Sequence, residues 1–457
     1  MIASPTTLLF DEALLPGGWA RQVRLHLAAG RITAVEPDAT PGAGEPRHQI
    51  GLPGLPNLHS HAFQRAMAGL TETRGPAADS FWTWREVMYR FLGRMTPDDV
   101  QAVAAQAYAE MLEGGFTHVG EFHYLHHQPD GSTYAEPAEM AVRIAAAAAQ
   151  TCIGLTLLPV FYAHGGFGGA DPSPGQRRFL NDLDGFARLL AGSQSAVAAL
   201  PGAVVGIAPH SLRAATPGEL AELAAIAPGT PLHIHVAEQT REVEDCLAWS
   251  GQRPVEWLLD HTAVDGRWCL IHATHMTEIE VTRLATTGAV AGLCPVTEAN
   301  LGDGVFPGVS WQQAGGRIGV GTDSNVLIGA ADELREMEYA QRLTGRARNV
   351  LAGVEGVSTG RALFDAALSG GARAMGCEQP ILRVGAPADI VALDADHPAL
   401  MERHGDALLN GWIFAANRPA VRSVWMHGQQ VVADGRHIDR TAITNRFRQT
   451  LRTLLGN

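Results

Sequence analysis

His59 and His61 stand two residues apart at the end of the apolar run Gly54-Leu55-Pro56-Asn57-Leu58. On a β-strand, side chains two apart share a face. Both imidazoles would therefore leave the strand end toward one point, the geometry a divalent metal needs. Later segments offer matching groups. His233 and His235 lie on a second apolar run with Glu238 just beyond it, His272 ends a third, and Asp323 ends Gly319-Val320-Gly321-Thr322. Three His and one Asp from three strand ends are hard to explain as ordinary rim residues. Neutral imidazoles and a carboxylate suit zinc, with ferrous iron the alternative, and leave a position for water. Such a metal would bring the pKa of a bound water toward about 7. Glu238 could take that proton and pass it to a leaving nitrogen, His272 could polarise the substrate, and Asp323 could both bind metal and accept a proton. His233 reads as a packed residue behind His235, and His126 and His127 as loop residues before Pro129-Asp130-Gly131.

Eight apolar segments read as the strands that would position these groups: 55–59, 117–122, 153–160, 204–208, 231–236, 268–272, 289–293 and 317–321. Helical patterns separate most of them. Thr96-Pro97-Asp98-Asp99, Thr216-Pro217-Gly218-Glu219 and Thr277-Glu278-Ile279-Glu280 read as helix starts. Near-continuous apolar strands alternating with helices predict an α/β fold, a (β/α)8 TIM-type barrel. Barrel enzymes carry their chemistry at the C-terminal strand ends, where Glu121, His123, Tyr124, His210 and Arg213 also fall. Short β-like runs near both termini predict a small β-sandwich built from the two chain ends. The expected division is 1–52 and 381–457 (with a terminal helix) for the sandwich and 53–380 for the barrel.

The bulk properties narrow the partners. A net charge of −13 over 457 residues argues against nucleic acid and against an acidic membrane surface. No segment reaches membrane-spanning length and none resembles a signal peptide. Five scattered cysteines without CxxC spacing suggest reduced thiols and a cytoplasmic protein. The chain contains no lysine: all 34 basic residues are arginine. That excludes a Schiff base and a lysine carbamate bridging two metals, and favours a single ion.

At these residues the chain resembles the amidohydrolase superfamily over essentially its full length, and its deaminase branch in particular. The matching stretches are Pro53 to His61, His233 to Gln239, Gly319 to Ser324 and Val384 to Ile390. The resemblance implies His59, His61, His235 and Asp323 as ligands of one divalent metal, Glu238 as proton shuttle and His272 as the residue facing substrate. Within the branch, His61 to Leu70, Phe81 to Glu86, Gly120 to Tyr124 and Ala208 to Arg213 resemble the formimidoylglutamate deiminase family of bacterial histidine degradation. That family hydrolyses N-formimino-L-glutamate to N-formyl-L-glutamate and ammonia, and a homodimer is expected from it.

A small substrate with two carboxylates needs local cations in an acidic protein, and bidentate guanidinium pairing is the natural device. Arg85 and Arg213 are the expected clamps, with Gln64, Tyr124 and His210 as hydrogen-bonding partners. Arg65 and Arg74 are weaker candidates. Arg85 could instead stack on Trp82 or Trp84, and Arg213 could be a surface residue. The rival readings are a deaminase of a purine or other aminated heterocycle, a cyclic amide hydrolase that releases no ammonia, and a barrel scaffold without catalysis. A phosphate-binding site is weaker, since no P-loop pattern occurs. Gly165 to Gly169 reads as a mobile active-site loop.

Overall fold

Chain-end strands and central strands have different textures, and they sort into different sheets. In the computed structural model, which describes residues 6–75 and 80–456, four strands come first: Thr6–Leu15 (β1), Gly18–Ala28 (β2), Arg31–Glu36 (β3) and Arg47–Pro53 (β4). The central set follows: Leu55–Ser60 (β5), Phe116–His123 (β6), Gly154–Phe161 (β7), Val204–Val205 (β8), Ala208–Pro209 (β9), Leu232–Val236 (β10), Trp268–His272 (β11), Val290–Leu293 (β12) and Arg317–Val320 (β13). Ile390–Leu393 (β14), Val421–Met426 (β15), Gln429–Ala433 (β16) and Arg436–His437 (β17) close the series.

The two chain ends pair in one continuous eight-stranded sheet of order β17-β16-β15-β14-β4-β1-β2-β3. The N-terminal strand β4 is the joint, parallel to β1 and antiparallel to the late strand β14. Phe10 and Trp425 meet edge-on at 6.2 Å within its own small core. β4 runs straight into β5 through Gly54, where any Cβ would lie 2.1 Å from the Thr117 side chain. A helix at Arg440–Leu455 follows the sheet and docks on the helix Pro97–Glu113 through Arg440 to Glu110 (3.2 Å) and Thr444 to Gln106 (3.2 Å).

The central strands are parallel and mostly covered, as alternation with helices requires. Every residue of β5, β7, β10, β11 and β12 is buried. They form two arrays, β5-β6-β7-β8 with β9 also on β7, and β10-β11-β12-β13. Backbone hydrogen bonds join the arrays at both edges. His61 N donates to Asp323 O and Asp323 N donates to His59 O, each at 2.9 Å; His233 N and His235 N donate to Ile207 O and His210 O, each at 3.0 Å. The fourth predicted strand differs from expectation, being two short pieces interrupted at Gly206. There the backbone runs so close to Pro231 O that a Cβ would meet it at 2.6 Å. The three threonine caps form, each side chain accepting from the amide three residues on (Asp99, Glu219, Glu280). The alanine run 145–149 lies within the helix Glu139–Thr151.

Candidate active site

The joint between β5 and β13 builds the heart of the site. Gly321 sits against the His59 backbone, with a hypothetical Cβ only 2.7–2.8 Å from it, so the two strand ends approach as only glycine permits. Asn57 and Asn325 lock this contact. Thr322 N donates to Asn57 Oδ1 (3.0 Å), Asn57 Nδ2 to Thr322 Oγ1 (2.7 Å), and Asn325 Nδ2 to the carbonyls of His61 (3.2 Å) and Asp323 (3.0 Å). The scaffold holds the non-glycine residues Ala237, His272, Ala273, Asp323 and Asn325 at φ between +42° and +68°. Such conformations cost energy and persist where the surroundings over-determine them.

His59, His61, His235 and Asp323 converge, all buried, with one ligand atom each inside a 4.8 Å cluster. Asp323 Oδ1 is 3.4 Å from His59 Nε2 and 3.2 Å from His61 Nε2, and the Nε2 atoms of His59 and His235 are 3.1 Å apart. Ligands 2.0–2.1 Å from a tetrahedral ion are separated by about 3.3 Å. His61 Nδ1 donates to Phe122 O (2.8 Å) and His235 Nδ1 to His210 O (3.0 Å). Each ring therefore turns an Nε2 lone pair inward. Lone pairs and a carboxylate crowded this closely repel one another unless a cation lies among them, so the donor set fits a divalent metal. Burial pushes the His59 imidazolium down to about 3, and His61 and His235 below their usual value, so all three are neutral and ready as ligands. Burial opposes the charge of Asp323, but the His59 hydrogen bond and the neighbouring imidazoles hold it below the usual carboxylate range.

Glu238 and His272 flank this group. Burial raises Glu238 to about 7, against the pull of His272 and Arg213. For His272, burial works against the proton, yet Glu238, Glu298 and Asp323 outweigh it and hold the imidazolium up to about 10. His272 Nδ1 donates to Glu298 Oε1 (3.2 Å) and its Nε2 lies 3.7 Å from Glu238 Oε1. Cys294 sits beside the same pair, and burial keeps its thiol protonated. His272 Nδ1 and the Cys294 amide both donate to Glu298, so the three residues form one hydrogen-bonded support.

A pocket opens over these residues. All five expected substrate contacts line it: Gln64, Arg85, Tyr124, His210 and Arg213. Gln64 Nε2 donates to Tyr124 OH (3.1 Å) while its Oε1 is buried without a partner. Arg85 stacks on Trp82, its guanidinium carbon 4.6 Å from the ring centroid, and also lines the pocket. The Nε atoms of Arg85 and Arg213 are buried without hydrogen-bond partners. Arg178 secures the helix Phe81–Leu92 that carries Arg85, donating to the carbonyls of Leu92, Met95 and His127.

Other expectations land elsewhere. Arg65 pairs with Glu110 (2.6 Å) and donates to Asn325 O and Val326 O, tethering the segment after Asp323 rather than lining the cavity. Arg74 is exposed on an outer groove. His233 packs behind the site on Ala374 O (2.8 Å). His126 and His127 are in the loop after β6, anchored to Val160 O and Leu180 O. Phe167 of the glycine-rich loop stacks on Trp249, and the loop does not line the cavity. Sequence reasoning passed over Glu298 in the short helix Pro295–Leu301 after β12, Tyr162 just after β7, and Tyr89 one helical turn beyond Arg85. The strand-end rule would have reached Tyr162 and helical spacing Tyr89, whereas no spacing points to Glu298.

This chain belongs to the amidohydrolase family, whose pattern it matches over residues 50–431. Residues 8–49 match the formimidoylglutamate deiminase HutF, N-terminal domain. It is 51% identical over 454 residues to the formimidoylglutamate deiminase of Pseudomonas aeruginosa, covering 98% of this chain and all of that one. Among solved structures it is similar to an amidohydrolase from Brucella melitensis, at 56% identity and a TM-score of 0.95, covering 98% and 99% of the two chains. An adenosine deaminase from Xanthomonas campestris with bound zinc shares the fold at 23% identity and a TM-score of 0.80, covering 99% and 98%.

Proposed function

We propose that this chain is the deiminase that hydrolyses N-formimino-L-glutamate to N-formyl-L-glutamate and ammonia in histidine degradation. The observation that carries it is the placement of two guanidiniums with free donors, Arg85 and Arg213, across one cavity from the His/Asp cluster. A five-carbon dicarboxylate bearing a formimino group presents its carboxylates to the arginines and its formimino carbon to the cluster. The full-length likeness to a formimidoylglutamate deiminase supports the same substrate.

His59, His61, His235 and Asp323 hold one divalent metal, zinc for preference, which when bound supplies a water activated at neutral pH. Glu238, raised by burial to about 7, takes a proton from the attacking water and hands it to the departing formimino nitrogen. Asp323, a member of the same cluster, is the second acceptor for that proton. The protonated His272 donates from Nε2 to the reacting centre as charge develops there. One water is consumed, the carbon–nitrogen bond breaks, and nitrogen leaves as ammonia. Arg85 and Arg213 bind the carboxylates bidentately, and Gln64, Tyr124 and His210 orient the chain between.

The rival is a deaminase of a heterocycle, favoured by the aromatic lining of Tyr89, Tyr162 and Phe179. Such a substrate offers the two arginines no pair of carboxylates. We also read the two parallel arrays as one (β/α)8 barrel over 53–380, closed by the bridges at both edges, with 1–52 and 381–457 folding as one sandwich-like module. A cytoplasmic homodimer completes the reading, in keeping with five unpaired cysteines. Ammonia release from N-formimino-L-glutamate by zinc-loaded protein tests the proposal; no release overturns it.

A further inference from the structure

Trp82 stands among three guanidiniums that come from three different elements. Arg85, one turn along its own helix, has its guanidinium carbon 4.6 Å from the indole centroid; Arg241, from the helix Thr240–Ser250, 4.9 Å; and Arg213, from the loop after β9, 6.0 Å. The Tyr89 ring centroid also lies 5.6 Å from the Arg85 guanidinium carbon. Only Arg85 and Arg213 reach the cavity.

Clustered cations are usually held together by carboxylates, and here those are nearly absent. No carboxylate pairs with Arg85 among the described residues. Arg213 has Glu242 only at 3.9 Å, and the Glu242 carboxylate already accepts from the amides of Ala237 (3.3 Å) and Glu238 (3.2 Å). Arg241 is mostly exposed and reaches Asp245 at 3.7 Å. An aromatic face attracts a guanidinium through its quadrupole, and indole does so best. It fixes the cation without occupying the N–H donors that a carboxylate would take.

We infer that Trp82 is a positioning residue: its indole gathers Arg85 and Arg213 in the cavity wall with their donors free, and thereby sets a preference for two carboxylates over one. A carboxylate in its place would compete with substrate, and an aliphatic side chain would let the two cations separate. The inference rests on the dicarboxylate reading above.

The probe is glutarate, an unreactive five-carbon dicarboxylate, beside butyrate, which has one carboxylate. Their inhibition constants are measured on zinc-loaded wild type, W82L and W82F, with kcat and KM for N-formimino-L-glutamate. Glutarate is expected to weaken about tenfold in W82L and butyrate by less than about threefold, while kcat stays within about twofold; W82F, keeping a ring face, recovers most of the loss. An unchanged glutarate constant in W82L overturns the inference. So does an equal loss for both acids with a falling kcat, or a W82F no better than W82L. Should W82L not fold, W82F decides: a two- to threefold weaker glutarate constant supports the role and an unchanged one removes it. If glutarate fails to inhibit wild type, the dicarboxylate reading itself is at fault rather than Trp82.

Discussion

His272 Nε2 faces Glu238 Oε1 across 3.7 Å, so the acid and the base of the proposed reaction are neighbours whose charges sustain each other. Burial alone would discharge both. Together they keep a protonated imidazole and a carboxylate that titrates near neutrality side by side at the edge of the metal cluster.

The pairing sets a pH profile. Glu238 accepts a proton only when ionised, so kcat/KM rises as pH passes through about 7. His272 donates only when protonated, so activity falls through about 10. Initial rates across pH 5–11 should trace that bell. E238Q should retain its metal, lose roughly 10²–10⁴-fold in kcat, and lose the acidic limb.

Glu298 holds the far nitrogen of His272 and also accepts from Cys294 N at 2.9 Å. A hydrogen bond to a buried charged group contributes about 1.5–3 kcal/mol. E298A should therefore lower kcat by roughly 10- to 100-fold with metal content intact, and E298Q, which keeps the acceptor, should fall between. Normal turnover in E298A would separate Glu298 from the reaction.

Arginine replacement should act on binding. R85A and R213A each remove a charge-assisted contact, so KM should rise roughly 10- to 100-fold while kcat changes little. Steady-state kinetics on N-formimino-L-glutamate check this. A fall in kcat at constant KM would place the arginines in the chemical step.

Metal removal should be visible without turnover. The inward Nε2 lone pairs of His61 and His235 and the Asp323 carboxylate repel once the cation is withdrawn, so chelation should lower the melting temperature, and zinc should restore it with concentration. D323N should blunt both responses. A thermal transition indifferent to chelator would contradict the assigned ligands.

Much of this site was legible along the chain because a strand has period two and a parallel strand ends at the reactive face. Those two regularities bring His59, His61, His235 and Asp323 together before any coordinates are known. The fourth strand was less legible: apolar composition does not reveal that the backbone at Gly206 passes against Pro231. Arg65 misled because charge and proximity to His61 say nothing about Glu110, its partner across a helix. Trp82 and Glu298 act through groups distant in sequence, Arg213 and His272, and one-dimensional spacing carries no trace of such contacts.

The central claim is tested most directly by ammonia release from zinc-loaded protein, comparing N-formimino-L-glutamate with guanine and adenosine derivatives. Rapid release from N-formimino-L-glutamate alone, abolished by chelation, is the expected result. Release from a purine, with none from N-formimino-L-glutamate, would contradict the account.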